Sequence, residues 1–154
     1  MSWNKIGDVL VAQNLLPEAV SAFYKGLSIA ERLARADTGN AGWQRDLSIS
    51  YDRIGDVLAA HDNLPEALKA FRNGLAIAES LARADPDNAE WQRDLAASHQ
   101  RIAVCAQRAG QLIEANQALE QALAILKALD REGRLDPPSR NFIEQFEHRL
   151  IALE

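Results

Sequence analysis

Much of this chain is written twice. Ile6-Gly7-Asp8-Val9-Leu10 returns as Ile54-Gly55-Asp56-Val57-Leu58, and Leu16-Pro17-Glu18-Ala19 returns as Leu64-Pro65-Glu66-Ala67. Trp43-Gln44-Arg45-Asp46-Leu47 returns as Trp91-Gln92-Arg93-Asp94-Leu95. Roughly 30 of about 48 aligned positions are identical between the first two copies, a period in the range of stacked repeat architectures. A third, more diverged copy begins near His99 and keeps Ile102, Leu112, Glu114, Ala115, Ala118, Leu123 and Ile125 in register. A unit of this kind cannot bury its apolar faces alone, so neighbouring copies must stack to complete the core.

Each copy reads as two helices. In the second copy Trp43, Leu47, Tyr51, Ile54 and Leu58 recur at helical spacing. That stripe ends at the polar turn His61-Asp62-Asn63, after which Pro65 sits where a helix tolerates a missing N–H. Ala67, Leu68, Phe71, Gly74, Leu75, Ala78 and Leu81 form the next apolar face, and Pro86 blocks its continuation. Asp87 or Asn88 is placed to cap the helix that follows. Abundant Ala and Leu, with sparse Val, Ile and Thr, favour helix throughout. Gly7 and Gly55 in first helices, and Gly26 and Gly74 in second helices, each cost about 1 kcal/mol relative to Ala. Their recurrence at equivalent positions predicts close backbone contacts.

The expected fold is therefore all-α, a single domain over 1–154. Repeat one covers about 2–38, repeat two about 40–85 and repeat three about 88–132, before a capping helix over about 137–153. In that last helix Phe142, Phe146, Leu150 and Leu153 share one face, opposite Arg140, Glu144, Glu147, His148 and Glu154. The chain starts mid-repeat, without the Trp-Gln-Arg-Asp-Leu half of a first helix. Trp3, Ile6 and Leu10 are accordingly expected to form an apolar edge suited to self-association.

At Trp3, Ile6, Gly7 and Leu10, then Ala19 and Phe23, and again at Tyr51, Ile54, Gly55, Leu58, Ala67 and Phe71, the chain resembles the tetratricopeptide repeat family. The resemblance implies a right-handed α-solenoid of antiparallel helix pairs whose first helices line a concave, protein-binding surface. Two departures stand out. Glu31 and Glu79 occupy the place of the family's helix-ending proline, and the repeat is about 14 residues longer than the usual ~34. The extra length falls in Trp43–Ser50 and Ser80–Ala84.

Opposite the core stripe, the first helices carry Asn4, Asp8 and Val11, then Arg45, Ile49, Asp52, Asp56 and Ala59, then Arg93, Ala97, Gln100, Val104, Gln107 and Arg108. Of these, Asn4, Asp8, Arg45, Ile49, Asp52, Asp56, Arg93, Gln100, Gln107 and Arg108, with Arg101 added, are the candidate peptide-binding positions, running from acidic Asp8, Asp52 and Asp56 towards basic Arg101 and Arg108. Some members of the resembled family grip a partner's C-terminal carboxylate there with lysine, asparagine and arginine. Here Asp8 stands at an asparagine position and Ala97 at a lysine position, and only Arg101 matches, so no such clamp is expected.

Catalytic patterns are missing from the sequence. It has no glycine-rich phosphate loop, nucleophile elbow or His-Glu-x-x-His helix. His61, His99 and His148 have no second histidine or cysteine at ligand spacing; Glu144 and His148 read as a solvated i,i+4 pair. Trp43 and Trp91 each lead a leucine four residues on, which favours packing over a ligand platform. Cys105 is the lone cysteine and reads as a small buried side chain. A net charge of −5 opposes general nucleic-acid binding. No secretory leader and no apolar run of the ~20 residues needed to span a membrane is seen, which sets the expectation of a cytoplasmic protein. The chain is thus expected to be a protein- or peptide-binding scaffold, neither an enzyme nor a cofactor or metal protein. The alternative is a self-assembly element, or part of a larger repeat-containing sensor or effector.

Overall fold

Asparagine decides where two of the long helices begin. Asn40 Oδ1 accepts the Trp43 N–H at 3.0 Å, and Asn88 Oδ1 accepts the Trp91 N–H at 3.1 Å. Each satisfies a donor that the first helical turn leaves without a partner, an effect of about 1 kcal/mol. Asn88 is thus the cap, not Asp87. One repeat further on, Asp136 stands before the last helix and accepts from the Ser139 hydroxyl. That hydrogen bond holds the Asp136 carboxyl below its usual pKa.

The turns inside the pairs are equally regular. Asn14, Asp62 and Gly110 occupy the same repeat position and all adopt positive φ, at 59°, 60° and 78°. These are the residue types that visit the left-handed region at least cost. The next N–H then reaches back to the helix before it: Leu15 to Leu10, Asn63 to Leu58, and Gln111 to Ala106. Pro17 and Pro65 follow at the start of the second helices, where a proline is pre-organised.

A computed structural model describes residues 2–153 of the chain. Among them are seven helices and no strand: α1 (Trp3–Ala12), α2 (Leu16–Ala36), α3 (Ala41–Ala60), α4 (Leu64–Ala84), α5 (Ala89–Arg108), α6 (Leu112–Arg131) and α7 (Pro137–Leu153). The side chains of Phe146, Leu150 and Leu153, and Glu154, lie outside the described residues. Contacts gather into two compact units, Met1–Ile77 and Ala78–Glu154, which divide within α4. In the first unit α2 packs on both α1 and α3; in the second α6 packs on both α5 and α7. The helix expected as a cap, α7, begins one repeat after α5 and two after α3, in the register of a further first helix.

The core of the first unit is built on a ring laid over a glycine. Ala19, Phe23, Ile54, Val57 and Ala70 form a buried cluster, with Leu10, Val20, Leu27 and Leu58 packed against it. A methyl group at Gly7 would lie 2.6 Å from Phe23 Cδ1, and one at Gly55 would lie 2.6 Å from Phe71 Cδ1. No carbon tolerates such an approach, so the ring takes the space of the absent side chain. In the third copy the same two positions hold Ala103 and Leu119, both buried. There alanine is larger than glycine and leucine smaller than phenylalanine, so volume moves from one position to the other.

Gly55→Ala is therefore expected to destabilise the chain. Alanine gains about 1 kcal/mol of helix propensity, and overpacking removes about 1–3 kcal/mol. Phe71→Leu alone loses ring contacts, whereas the double variant copies the third repeat and recovers much of the loss. Urea midpoints of the four proteins measure the coupling, expected at about 1 kcal/mol or more. Additive losses would show that the ring does not rest on Gly55.

Candidate binding surface on the first helices

In the first unit the structure separates the candidate residues into inward and outward sets. Asn4 Nδ2 donates to Ser50 Oγ at 3.4 Å, and Asn4 Oδ1 lies 3.1 Å from where a methyl on Gly26 would sit. Asp52, its counterpart in the next copy, is buried, with Oδ1 over Gly74 in the same way. Ser48 Oγ donates to the Gly74 carbonyl at 3.0 Å beside it. Both polar residues thus belong to helix–helix contacts. Arg45 and Ile49 are half-buried, and Asp56 is exposed.

Asp8 meets a cation from α3, Arg53. Its Oδ1 lies 3.3 Å from Arg53 Nε, with both side chains partly exposed. The approach is off line for a hydrogen bond. An ion pair in this setting contributes about 0–1 kcal/mol. It offsets the charge of Asp8 nonetheless.

In the second unit Gln107 and Arg108 are exposed, Gln100 and Arg101 are half-buried, and Val104 stands 42% exposed between them. Arg93 is exposed and donates to the Arg134 carbonyl at 3.4 Å. Of the edge residues, Trp3 and Ile6 are half-buried, and Lys25 Nζ lies 4.8 Å from the centre of the Trp3 ring. Leu10 packs against the core cluster.

A second set of polar contacts, absent from the candidate residues, recurs at one register position. The Tyr51 hydroxyl donates to Glu31 Oε1 at 3.0 Å, and Arg35 holds Glu31 Oε2 at 3.4 Å. One repeat later His99 replaces Tyr51, with Glu79 close enough to act on its charge and Arg83 3.6 Å from Glu79. A further repeat on, Lys127 pairs with Glu147 of α7. Burial raises the Tyr51 pKa, helped by the hydrogen bond and charge of Glu31. Burial lowers the His99 pKa, with Glu79 pulling the other way.

A hollow of about 320 Å³ in the second unit is lined by Pro86, Gln92, Ile125, Ala128, Leu129 and Arg134. Arg134 is engaged by Glu132 at 3.1 Å and by the Asp87 carbonyl. Cys105 is buried. No set of three or more metal-ligating side chains gathers among the described residues. Nor is any described helix long and apolar enough to cross a membrane. Compared with known proteins, the chain matches no family model, and no curated protein matches it.

His99 carries a pH dependence whose sign follows from its environment. Its folded pKa lies below the ordinary value of 6.5, so the unfolded chain binds the extra proton more readily. Stability attributable to His99 is fully present above about pH 6.5 and is lost as pH falls from there through the lower folded pKa. Urea midpoints measured from pH 7.5 down to pH 5 are expected to fall. His99→Tyr, which borrows the residue of the preceding copy, should flatten the slope; an unchanged slope would place the pH dependence elsewhere.

Proposed function

We propose that this chain is a protein- or peptide-holding module of the tetratricopeptide-repeat kind. In this reading its helix pairs wind into a right-handed solenoid and the outward faces of the first helices receive the partner. The resemblance at Trp3, Ile6, Gly7, Phe23, Tyr51, Ile54, Gly55 and Phe71 supports the architecture.

The observation that carries the function is a mixed aliphatic and charged surface on the helix faces turned away from the core. On α1, Val11 is 40% exposed one turn beyond Asp8; on α5, Val104 lies beside Gln107 and Arg108. Exposed aliphatic groups give a partner apolar area to bury, and the surrounding charges orient it. Asp56 supplies an acidic point in the first unit, and Arg108 a basic point in the second. The preferred partner is then a protein segment that buries apolar area on such a face and presents charges opposite to those beside it.

The test begins with affinity capture and mass spectrometry to identify the partner. Its binding is then compared for Asp56→Lys, Arg108→Glu and, on a second helix, the exposed Arg72→Glu. The first two are expected to weaken binding about tenfold or more, equivalent to roughly 1.4 kcal/mol, and to reduce its salt sensitivity. Equal effects of all three reversals would put the partner on another surface.

A further inference from the structure

Between α6 and the linker that precedes α5, the second unit leaves open a hollow of about 320 Å³, at the small end of the range of small-molecule sites. Ile125, Ala128 and Leu129 of α6 give it an aliphatic floor, and Pro86 adds to the apolar lining. Its rim is built differently. Gly133, at a φ of 69°, turns the chain back so that the Arg134 N–H reaches the Leu129 carbonyl at 2.9 Å. The Arg134 guanidinium is then held by the Asp87 carbonyl through one nitrogen and by Glu132 at 3.1 Å through another. The Arg134 carbonyl accepts from Arg93 at 3.4 Å. One cation is therefore fixed in place beside an acid whose side chain is 55% exposed.

The other two copies show which of these residues set the hollow apart. Ile125 keeps the residue of its counterparts Ile29 and Ile77, and Leu129 that of Leu33 and Leu81. Ala128 stands where the earlier copies have Arg32 and Ser80, Glu132 where they have Ala36 and Ala84, and Arg134 where they have Thr38 and Pro86. The third copy alone keeps the apolar floor, shortens the side chain beside it and sets an acid and a base at the rim. We infer that this hollow binds a free aliphatic α-amino acid, with its side chain on Ile125, Ala128 and Leu129, its carboxylate on Arg134 and its ammonium on Glu132. Charge complementarity decides for the zwitterion. A simple carboxylate would take Arg134 but lie against the displaced Glu132, and a simple amine would lie against Arg134. A ligand carrying both charges opens the Glu132–Arg134 pair and leaves neither member without a partner. Pairs this exposed contribute little by themselves, so opening one costs little. The site is built on a second helix and its linkers, and it does not depend on the first-helix surface proposed above.

Heteronuclear NMR of the intact chain, titrated with L-leucine, L-isoleucine and L-valine, tests this directly. At least one of them is expected to shift the amide signals of Ile125, Leu129 and Arg134 saturably, and its D-enantiomer to bind more weakly. Blocking the ammonium by N-acetylation, or the carboxylate by amidation, should each weaken binding about tenfold or more. Ala128→Arg, which restores the residue of the first copy, should abolish binding without lowering the melting temperature. Glu132→Ala, which borrows the residue of both earlier copies at an exposed rim position, should weaken binding about tenfold and make it indifferent to acetylation. Should Ala128→Arg lower the melting temperature, Glu132→Ala alone decides. No saturable shift with any of the three amino acids would overturn the inference, as would binding that Glu132→Ala leaves unchanged. Equal affinity of the unaltered chain for the free and the N-acetylated amino acid would also overturn it, because the zwitterion would then have no role.

Discussion

The contact on which the rest of the architecture depends is an aromatic ring resting on a bare backbone. Phe23 over Gly7 and Phe71 over Gly55 set how closely a first helix approaches the second helix of its own pair. Protein interiors are packed too densely to absorb even one additional carbon there. A second contact of the same kind, Asn4 against Gly26 and Asp52 against Gly74, fixes the pair at another point along its length. Two points of close approach hold the helices against sliding and rotation. In the third copy Ala103 and Leu119 stand at the ring positions, one larger and one smaller than before, while Gln100 and Ala122 at the other positions are both larger. At the ring positions the summed size is nearly kept while the residues vary.

The polar joints obey the same logic with charge in place of volume. Glu31 with Tyr51, Glu79 with His99, and Lys127 with Glu147 occupy one register position. The acid moves from the second helix to the following first helix in the last of these, and the pairing survives the reversal. A half-buried polar group is tolerated when it meets a partner of complementary kind. Each copy therefore retains freedom on its outward face, where neither volume nor pairing is prescribed. Val11, Val104 and Gln107 stand exposed on such faces, where the residues differ from copy to copy.

The repeat, the helix pairs and the glycine contacts were legible in the residues because each leaves a recurring, strongly constrained mark. The asparagine caps were nearly so, with Asn88 separated from Asp87 only by the geometry of the Trp91 amide. Less of the outward face could be read. A helical wheel places Asn4 and Asp52 on the polar side, yet the neighbouring glycines give their side chains room to lie inside the pair. The signal was present: a glycine recurs at 26 and 74 wherever a short polar residue recurs at 4 and 52. The pairing of Asp8 with Arg53 joins two helices at a separation no local pattern reports. Leu10 was grouped with Trp3 and Ile6 by helix position, but its side chain turns to the Phe23 cluster. The register of α7 was hidden by its divergent apolar residues, although Asn40, Asn88 and Asp136 precede the three helices at equal intervals.

The central claim is that rings occupy the space above Gly7 and Gly55, and proton NMR of the folded chain tests it most directly. A glycine Hα under the face of a phenylalanine ring is shielded and close to its aromatic protons. The account predicts upfield-shifted Hα resonances for Gly7 and Gly55, with nuclear Overhauser contacts to Phe23 and Phe71 respectively. The exposed turn glycines Gly110 and Gly133, which have open space around them, should show neither effect. Ordinary Hα shifts at Gly7 and Gly55, without contacts to the two rings, would contradict the account.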